Sequence, residues 1–180
     1  MTSSGGRMIL IKHILQSLPT YILSAMNPPK GITKLMEKHF ANFFWGTNEG
    51  KNKYHWSSWN NLCLSQDEGG ADVRKMEDII DILSIKRWWR FRTHPSLWTN
   101  FFKNKYCKRA HPVNKKPNPT DSHIWRNMLK IRDKAEENII WEIQKGNCSF
   151  WWDNWTGDAN EDDFPVWTTS NDGRFSSNSA

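Results

Sequence analysis

Apolar residues recur every three or four positions through the first part of the chain, a period that predicts amphipathic helices. The first stripe predicts a helix that Pro19 must kink or restart and that Pro28-Pro29 ends. Its apolar positions are Ile11, Ile14, Leu15, Leu18 and Ile22. The second stripe predicts a helix that ends at Gly46. Its positions are Ile32, Leu35, Met36, His39, Phe40 and Phe43.

The middle of the chain alternates irregular and helical patterns. Residues 47–72 are expected to be irregular, with a short Trp-rich element near 54–64 and a turn at Gly69-Gly70. A third helix is predicted from Arg74 to Arg92, and its apolar positions cover so wide an arc that it should pack against two neighbours. Pro95 suits the first turn of a fourth helix over 96–106.

The last third changes from a helical to an alternating period. The run 110–120 contains three prolines and predicts a flexible linker, after which Asp121 or Ser122 can cap a fifth helix that reaches about Glu137. Alternation over 139–144, a turn at 145–147 and alternation over 148–152 then predict a β-hairpin, and 166–177 predict the start of another. The expected fold is mainly α with a small β-hairpin unit near the C-terminus (α+β).

Composition narrows the class of protein. Charged residues make up 24% and the mean hydropathy is −0.77, which excludes a membrane protein, while 13% aromatic residues argue against global disorder. The three cysteines are far apart, form no CxxC pair and follow no secretion signal. We therefore expect free thiols in an intracellular protein, nuclear or cytoplasmic and not secreted.

The charge is unevenly distributed along the chain. Residues 1–120 carry 19 Lys and Arg against 8 Asp and Glu, a net +11, whereas residues 121–180 carry 6 against 11, a net −5. Residues 86–116 contain ten basic residues and no acidic one. Such a segment attracts polyanions, because Lys and Arg displace the counterions condensed on phosphate backbones.

RNA or DNA is therefore the partner that this charge pattern suggests. The candidate nucleic-acid-binding residues are Lys86, Arg87, Arg90, Arg92, Lys103, Lys105, Lys108 and Arg109. Trp88, Trp89 and Phe91 lie among them and offer rings that could stack on bases. A structural interpretation stays open, because basic residues at a helix C-terminus also complement the helix dipole and the aromatic residues fit a buried stripe equally well.

Catalytic and metal-binding interpretations have little support in the sequence. Asp162-Asp163 are adjacent, but no strand context places them as a two-metal site. Cys107 and His111 are four residues apart, yet no paired spacing supplies the two further ligands that zinc needs. The paired glycines 5–6 and 69–70 are better explained as turns than as a phosphate loop. We therefore expect no catalytic residues, no metal and no cofactor.

The most distinctive segment is residues 122–155, in which tryptophan occurs at 125, 141, 151, 152 and 155. This segment resembles one found in plant LINE-type (non-LTR) retrotransposon polyproteins, between the reverse-transcriptase catalytic core and the zinc-binding and ribonuclease H part. The resemblance covers nearly the whole chain in order. The other matching pieces are Ser4–Arg7, Leu10–Lys12, Leu18–Tyr21, Pro29–Ile32, Phe43–Gly46, His55–Cys63, Gly69-Gly70, Leu97-Trp98, Lys105-Tyr106, Val166-Trp167 and Asp172–Ser176. Ala71-Asp72 departs from the Leu-Gly that the family has there.

The resemblance implies a fragment and not an enzyme, since the family's Ala-Asp-Asp polymerase motif is absent from this sequence. It divides the chain into a helical post-palm or thumb-like segment (1–109), a basic Pro-rich linker (110–120), a helix with a hairpin (121–157) and an acidic loop with a truncated zinc-region start (158–180). In an intact polyprotein of this kind the segment would contact RNA or DNA beside the neighbouring polymerase and ribonuclease H segments. The alternative is a protein-interaction or structural module with no nucleic-acid role and no membrane contact.

Overall fold

A computed structural model describes residues 3–48, 51–142, 148–156, 164–170 and 175–176. The chain divides into two units, unit 1 (Met1–Ile80) and unit 2 (Asp81–Ala180). This division falls inside a helix, whereas the sequence placed a boundary at 110–120, and the four-segment map stays a prediction. Across the described residues, no helix combines the length and the apolar character needed to span a bilayer.

Unit 1 begins with helix α1 (Ser4–Leu10), a π-helical turn (Ile11–Leu15) and helix α2 (Thr20–Ala25). Pro19 stands immediately before α2, so the predicted restart is confirmed. The predicted stripe is buried only in part: Ile11 is fully buried, but Leu18 is 69% exposed. The buried Gln16 lies on the packed side instead and donates a 2.6 Å hydrogen bond to the carbonyl of Arg74.

Helix α3 (Lys30–Trp45) ends at Gly46, as the sequence predicts. Gly46 adopts φ +81°, a left-handed conformation that requires glycine, whereas the nearest neighbour of a Cβ there would be the movable end of the Arg7 side chain. The buried face of α3 contains Thr33, Phe40 and Ala41. The other side of its apolar stripe is exposed, at Ile32, Leu35 and Phe43.

The segment 47–72 combines short elements with turns. Strands β1 (Thr47–Asn48) and β2 (Lys51–Asn52) pair antiparallel, and helix α4 (Trp59–Leu62) is the predicted Trp-rich element. Gly69 adopts φ +79°, and a Cβ on Gly70 would lie 2.0 Å from the carbonyl oxygen of Leu64. The paired glycines therefore form the predicted tight turn.

Helix α5 (Met76–Thr93) confirms the predicted third helix and its wide buried arc. Helix α6 (Leu97–Tyr106) follows, but Ser96 caps it and Pro95 precedes the cap, so Pro95 is not in the first turn as expected. The hydroxyl of Ser96 accepts a hydrogen bond from the amide of Thr99, which a proline ring cannot do. Helix α7 (His123–Glu136) is capped by Ser122, one of the two predicted caps.

The core of unit 2 is aromatic. Trp125 of α7 is fully buried, and its ring stacks on Tyr106 of α6 at 4.7 Å and 4°. The other large side chains of this core include Ile85, Trp88, Trp89, Phe91, Phe102, Met128, Leu129, Ile139 and Trp167. Trp88 of α5 also contacts Trp125, with ring centres 6.4 Å apart, and such aromatic pairs are stabilising beyond the area they bury.

The residues between α6 and α7 pack against the rest of unit 2. Pro112 is buried in a 3₁₀ turn (Pro112–Asn114), and Arg132 of α7 donates a 2.7 Å hydrogen bond to the carbonyl of Lys115. These contacts join the run 110–120 to α7, and its role as a linker stays a prediction.

A small sheet near the C-terminus makes the fold α+β, as predicted. Strand β3 (Ile139–Glu142) lies between β4 (Trp155–Thr156), its parallel neighbour, and β5 (Phe164–Trp167), its antiparallel neighbour. The hairpin predicted between 139–144 and 148–152 is wrong in its second strand, because residues 149–153 form a turn and β3 pairs with β5 instead. The predicted turns at 145–147 and 171–173 lie outside the described residues.

Candidate nucleic-acid interface

A buried charge cluster lies where α5, α7 and the 149–153 turn meet in unit 2. We call Arg92, His111, Glu136 and Asp153 the Arg92 cluster. The guanidinium of Arg92 pairs through Nε with Oε1 of Glu136 at 3.0 Å and through Nη2 with Oδ1 of Asp153. The side chains of Arg92 and Asp153 are only 6% and 5% exposed. His111 completes the cluster, with Nε2 3.3 Å from Nη1 of Arg92 and 3.7 Å from Oδ1 of Asp153.

Further contacts surround the cluster, in which Nε of Arg92 is ion-paired but not hydrogen-bonded and Nδ1 of His111 has no hydrogen-bond partner among the described residues. The indole Nε1 of Trp88 donates a 2.6 Å hydrogen bond to Oε1 of Glu136, and the Arg92 guanidinium lies 5.4 Å from the centre of the Trp141 ring. Burial raises the pKa of Glu136, and the positive charge of Arg92 opposes that rise. Burial, followed by the charge on Arg92, lowers the pKa of His111, whereas Asp153 acts in the opposite direction.

The eight predicted nucleic-acid-binding residues fall into three groups by exposure. Arg92 is held by carboxylates, and Arg87 is buried, which lowers the pKa of its guanidinium. Neither side chain is presented to solvent, so neither is available for a phosphate in this conformation. Lys86 is half-buried. The exposed members are Arg90, Lys103, Lys105, Lys108 and Arg109, which we call the basic face.

The aromatic residues beside these arginines are in the core. Trp88 and Phe91 are fully buried and Trp89 nearly so, and therefore none of the three rings can stack on a base. The open alternative of a buried stripe is confirmed for them. Lys105 of the basic face lies over aromatic rings of its own helix, with Nζ 5.5 Å from the centre of Phe101 and 5.2 Å from that of Tyr106.

Exposed aromatic rings occur instead in the turn that precedes and enters β4. Trp151 is 82% exposed, and Phe150, Trp152 and Trp155 are also exposed. We call these four residues the aromatic turn. Sequence reasoning missed them as a surface feature, because the alternation of Cys148, Phe150 and Trp152 was interpreted as a strand. The signal that could have identified them is Asp153. A carboxylate among four aromatic residues is expected to be partly buried, and a buried carboxylate needs a cation beside it.

The two candidate metal sites gain no support from the geometry. Cys107 ends α6 with a thiol whose pKa burial raises, and His111 belongs to the Arg92 cluster. Asp162-Asp163 lie outside the described residues. In the part of the chain that the structure describes, no group of three or more His, Cys, Asp or Glu side chains could hold a metal ion. The three cysteines are free thiols.

Comparison with known proteins gives two relatives from Arabidopsis thaliana. A protein named "Putative ribonuclease H protein" is 29% identical over 158 residues, which are 85% of this chain and 26% of that protein. An uncharacterized mitochondrial protein is 25% identical over 145 residues, which are 79% of this chain and 94% of that protein. No family model and no solved structure matches. The chain is therefore similar over most of its length to two plant proteins, spanning about a quarter of the ribonuclease H-named one and nearly all of the mitochondrial one.

Proposed function

We propose that the chain is a non-catalytic segment derived from a LINE-like retroelement reverse-transcriptase polyprotein, and that unit 2 binds RNA or DNA through the basic face. The single observation that carries the binding proposal is the exposure of all five basic-face cations within a stretch that has no acidic residue. These cations have no carboxylate partner within their own segment and are already exposed to solvent. They can therefore displace the counterions of a nucleic-acid phosphate backbone at little desolvation cost.

The origin is supported by the order of the motifs and by the two plant relatives. The ribonuclease H name belongs to a protein of which this chain matches 26%. We propose that any cleavage centre of that relative lies in the part that this chain does not match. Primer-extension and RNA-cleavage assays of the 180-residue protein with Mg²⁺ are expected to show no turnover. Nucleotide incorporation or strand cleavage that co-purifies with the protein would refute the non-catalytic assignment.

The binding proposal is tested by a salt titration with labelled single-stranded and duplex oligonucleotides. If all five cations contact phosphates, affinity should fall about a hundredfold for single strands, and roughly 500-fold for duplex, between 50 and 200 mM salt. Substituting Lys108 with Gln should lower the salt slope by about one. Lys130→Gln is the matched control, because Lys130 is an exposed lysine of α7 outside the basic face. Absence of binding to either form at 50 mM salt would reject a nucleic-acid role.

A protein-interaction module is the second candidate, and the apolar surface of unit 1 favours it. Three exposed apolar residues belong to the first predicted stripe, and three more lie along α3. They are Ile14, Leu18, Ile22, Ile32, Leu35 and Phe43. Apolar patches of this kind mark surfaces that bind other proteins. Sedimentation velocity on the wild type and on Leu18→Lys tests this candidate. Self-association that the substitution abolishes would favour it, and a monomer at every concentration would count against association through this patch.

A further inference from the structure

The aromatic turn is unusual because four large rings are exposed within six residues. Their exposed fractions are 63% for Phe150, 82% for Trp151, 43% for Trp152 and 39% for Trp155. A single exposed ring on a protein surface requires no explanation, but a group of adjacent ones marks a binding surface.

The backbone that carries these rings is held in one conformation. The carboxylate of Asp153 accepts a 2.8 Å hydrogen bond from the amide of Ser149, and the amides of Trp152 and Asp153 donate to the carbonyl of Ser149. Because Asp153 is also paired with Arg92, the turn is fixed to the interior of unit 2. A surface that is ordered before binding loses less conformational entropy when a ligand arrives.

The rings are also fixed relative to one another. The indole Nε1 of Trp155 donates a 3.2 Å hydrogen bond to the carbonyl of Phe150. The Phe150 ring centre lies 5.2 Å from that of Trp151, at 87°, and 5.3 Å from that of Trp155, at 36°. Phe150 thus contacts both tryptophans, and Trp151 is still largely open to solvent.

The Arg92 cluster places this turn beside the basic face. His111 contacts Asp153, and Lys108 and Arg109 precede His111 by three and two residues. Lys103 is close enough for its charge to contribute to the lowered pKa of His111. Exposed rings and three cations of the basic face therefore lie next to the same charge cluster.

We infer that the aromatic turn is a base-stacking site for single-stranded RNA or DNA, whose adjoining phosphates pair with Lys103, Lys108 and Arg109. Single strands expose the faces of their bases, and stacking on an aromatic side chain tolerates every base, whereas a duplex keeps these faces covered. A protein partner would also cover apolar rings, but it would not require cations beside them. This inference rests on the proposed function and adds to it a preference for single strands, which the exposed ring of Trp151 confers.

The test compares Trp151→Ala with Trp56→Ala in the full chain. Trp56 is a matched control, because its indole is also 82% exposed but lies in unit 1. The probes are a fluorescein-labelled 20-nucleotide oligo(dT), an oligo(U) of the same length and a 20-base-pair duplex, followed by anisotropy at 50 mM salt. Loss of a stacked base should weaken single-strand binding by roughly 5-fold to 100-fold. Trp151→Phe should restore most of that loss, and duplex binding should not change.

The outcomes separate the inference from the proposed function. If the wild type binds neither single strands nor duplex, the proposed function fails and the stacking site fails with it. If the wild type binds both forms and Trp151→Ala weakens neither, or weakens both no more than Trp56→Ala does, the basic face alone accounts for binding and the stacking site is refuted. Near-UV circular dichroism of each variant establishes that unit 2 keeps its aromatic core, and Trp151→Phe provides the second readout if Trp151→Ala does not fold.

Discussion

Asp153→Ala removes a carboxylate from the buried Arg92 cluster, and we expect it to lower the free energy of unfolding by about 3–5 kcal/mol. Two losses contribute to this magnitude. Among the described residues, Glu136 is then the one carboxylate left beside the guanidinium of Arg92, which is 6% exposed, and the amide of Ser149 loses its side-chain acceptor. Removing one member of a buried ion pair is destabilising because the other charge stays away from water without full compensation.

The assay is urea denaturation followed by near-UV circular dichroism, with linear extrapolation to zero urea. The matched control is Asp133→Ala. Asp133 also pairs with an arginine, Arg132, at 2.8 Å, but its side chain is 76% exposed. Solvent screening should limit the loss there to about 0–1 kcal/mol.

A double-mutant cycle with Arg92→Ala isolates the pair itself. Because each single variant strands the partner, the double variant Arg92→Ala/Asp153→Ala should be destabilised by at least about 1 kcal/mol less than the sum of the two single effects. Two results would refute a buried ion pair between Arg92 and Asp153. One is an equal loss of unfolding free energy in Asp153→Ala and Asp133→Ala, and the other is single effects that add within about 0.5 kcal/mol.

Four more predictions concern single side chains. Because burial and Arg92 lower the pKa of His111 below 6.5, the folded state binds that proton less tightly than the unfolded state. Stability should therefore fall as the pH drops from about 6.5 toward the folded-state pKa, and urea titrations across that window should show a flatter profile for His111→Gln. Burial, and next the charge of Glu37, raises the pKa of Cys63 to about 11, so its alkylation by iodoacetamide at pH 8 should be roughly a hundredfold slower than in the urea-unfolded chain, measured by mass spectrometry. A thiol that reacts equally fast in both states would contradict the shift. Trp125→Ala should cost about 3–5 kcal/mol in urea denaturation, because a fully buried indole stacked on Tyr106 leaves a cavity. Ser122→Ala should cost about 1 kcal/mol through loss of the α7 cap, and a thermal midpoint identical to wild type would argue against that cap.

Helices were the part of the fold that the sequence could predict. The spans of α3, α5, α6 and α7 follow from the apolar period and from the residues that end each helix. Ser122 caps the start of α7 and Gly46 ends α3, as expected. These signals are local, because a helical hydrogen bond joins residues that are four apart. The α+β class also followed, because the change from a helical to an alternating period at 139–144 is a local signal, even though the partner of that strand was not.

The burial of each stripe depended on distant partners. In α3, the positions Ile32 and Leu35 match the helical period as well as Phe40 does, yet only Phe40 is buried. The period shows that a face is apolar, but it does not show which part of the face meets another element. The strand pairing failed similarly, because β3 could pair with any nearby extended segment and the structure supplied β5.

The candidate site illustrates the same division most clearly. From sequence, Arg92 belonged to a basic run that was a candidate nucleic-acid-binding surface, and Asp153 directly followed the predicted strand 148–152. In the structure the two form a buried ion pair across 61 positions of sequence, and that pair takes Arg92 away from the basic face while it fixes the aromatic turn. Local composition determined how much positive charge this chain carries and where along the sequence it lies. Only tertiary packing decided which charges reach solvent, because a cation is neutralised by whichever carboxylate the fold brings within a few ångströms of it.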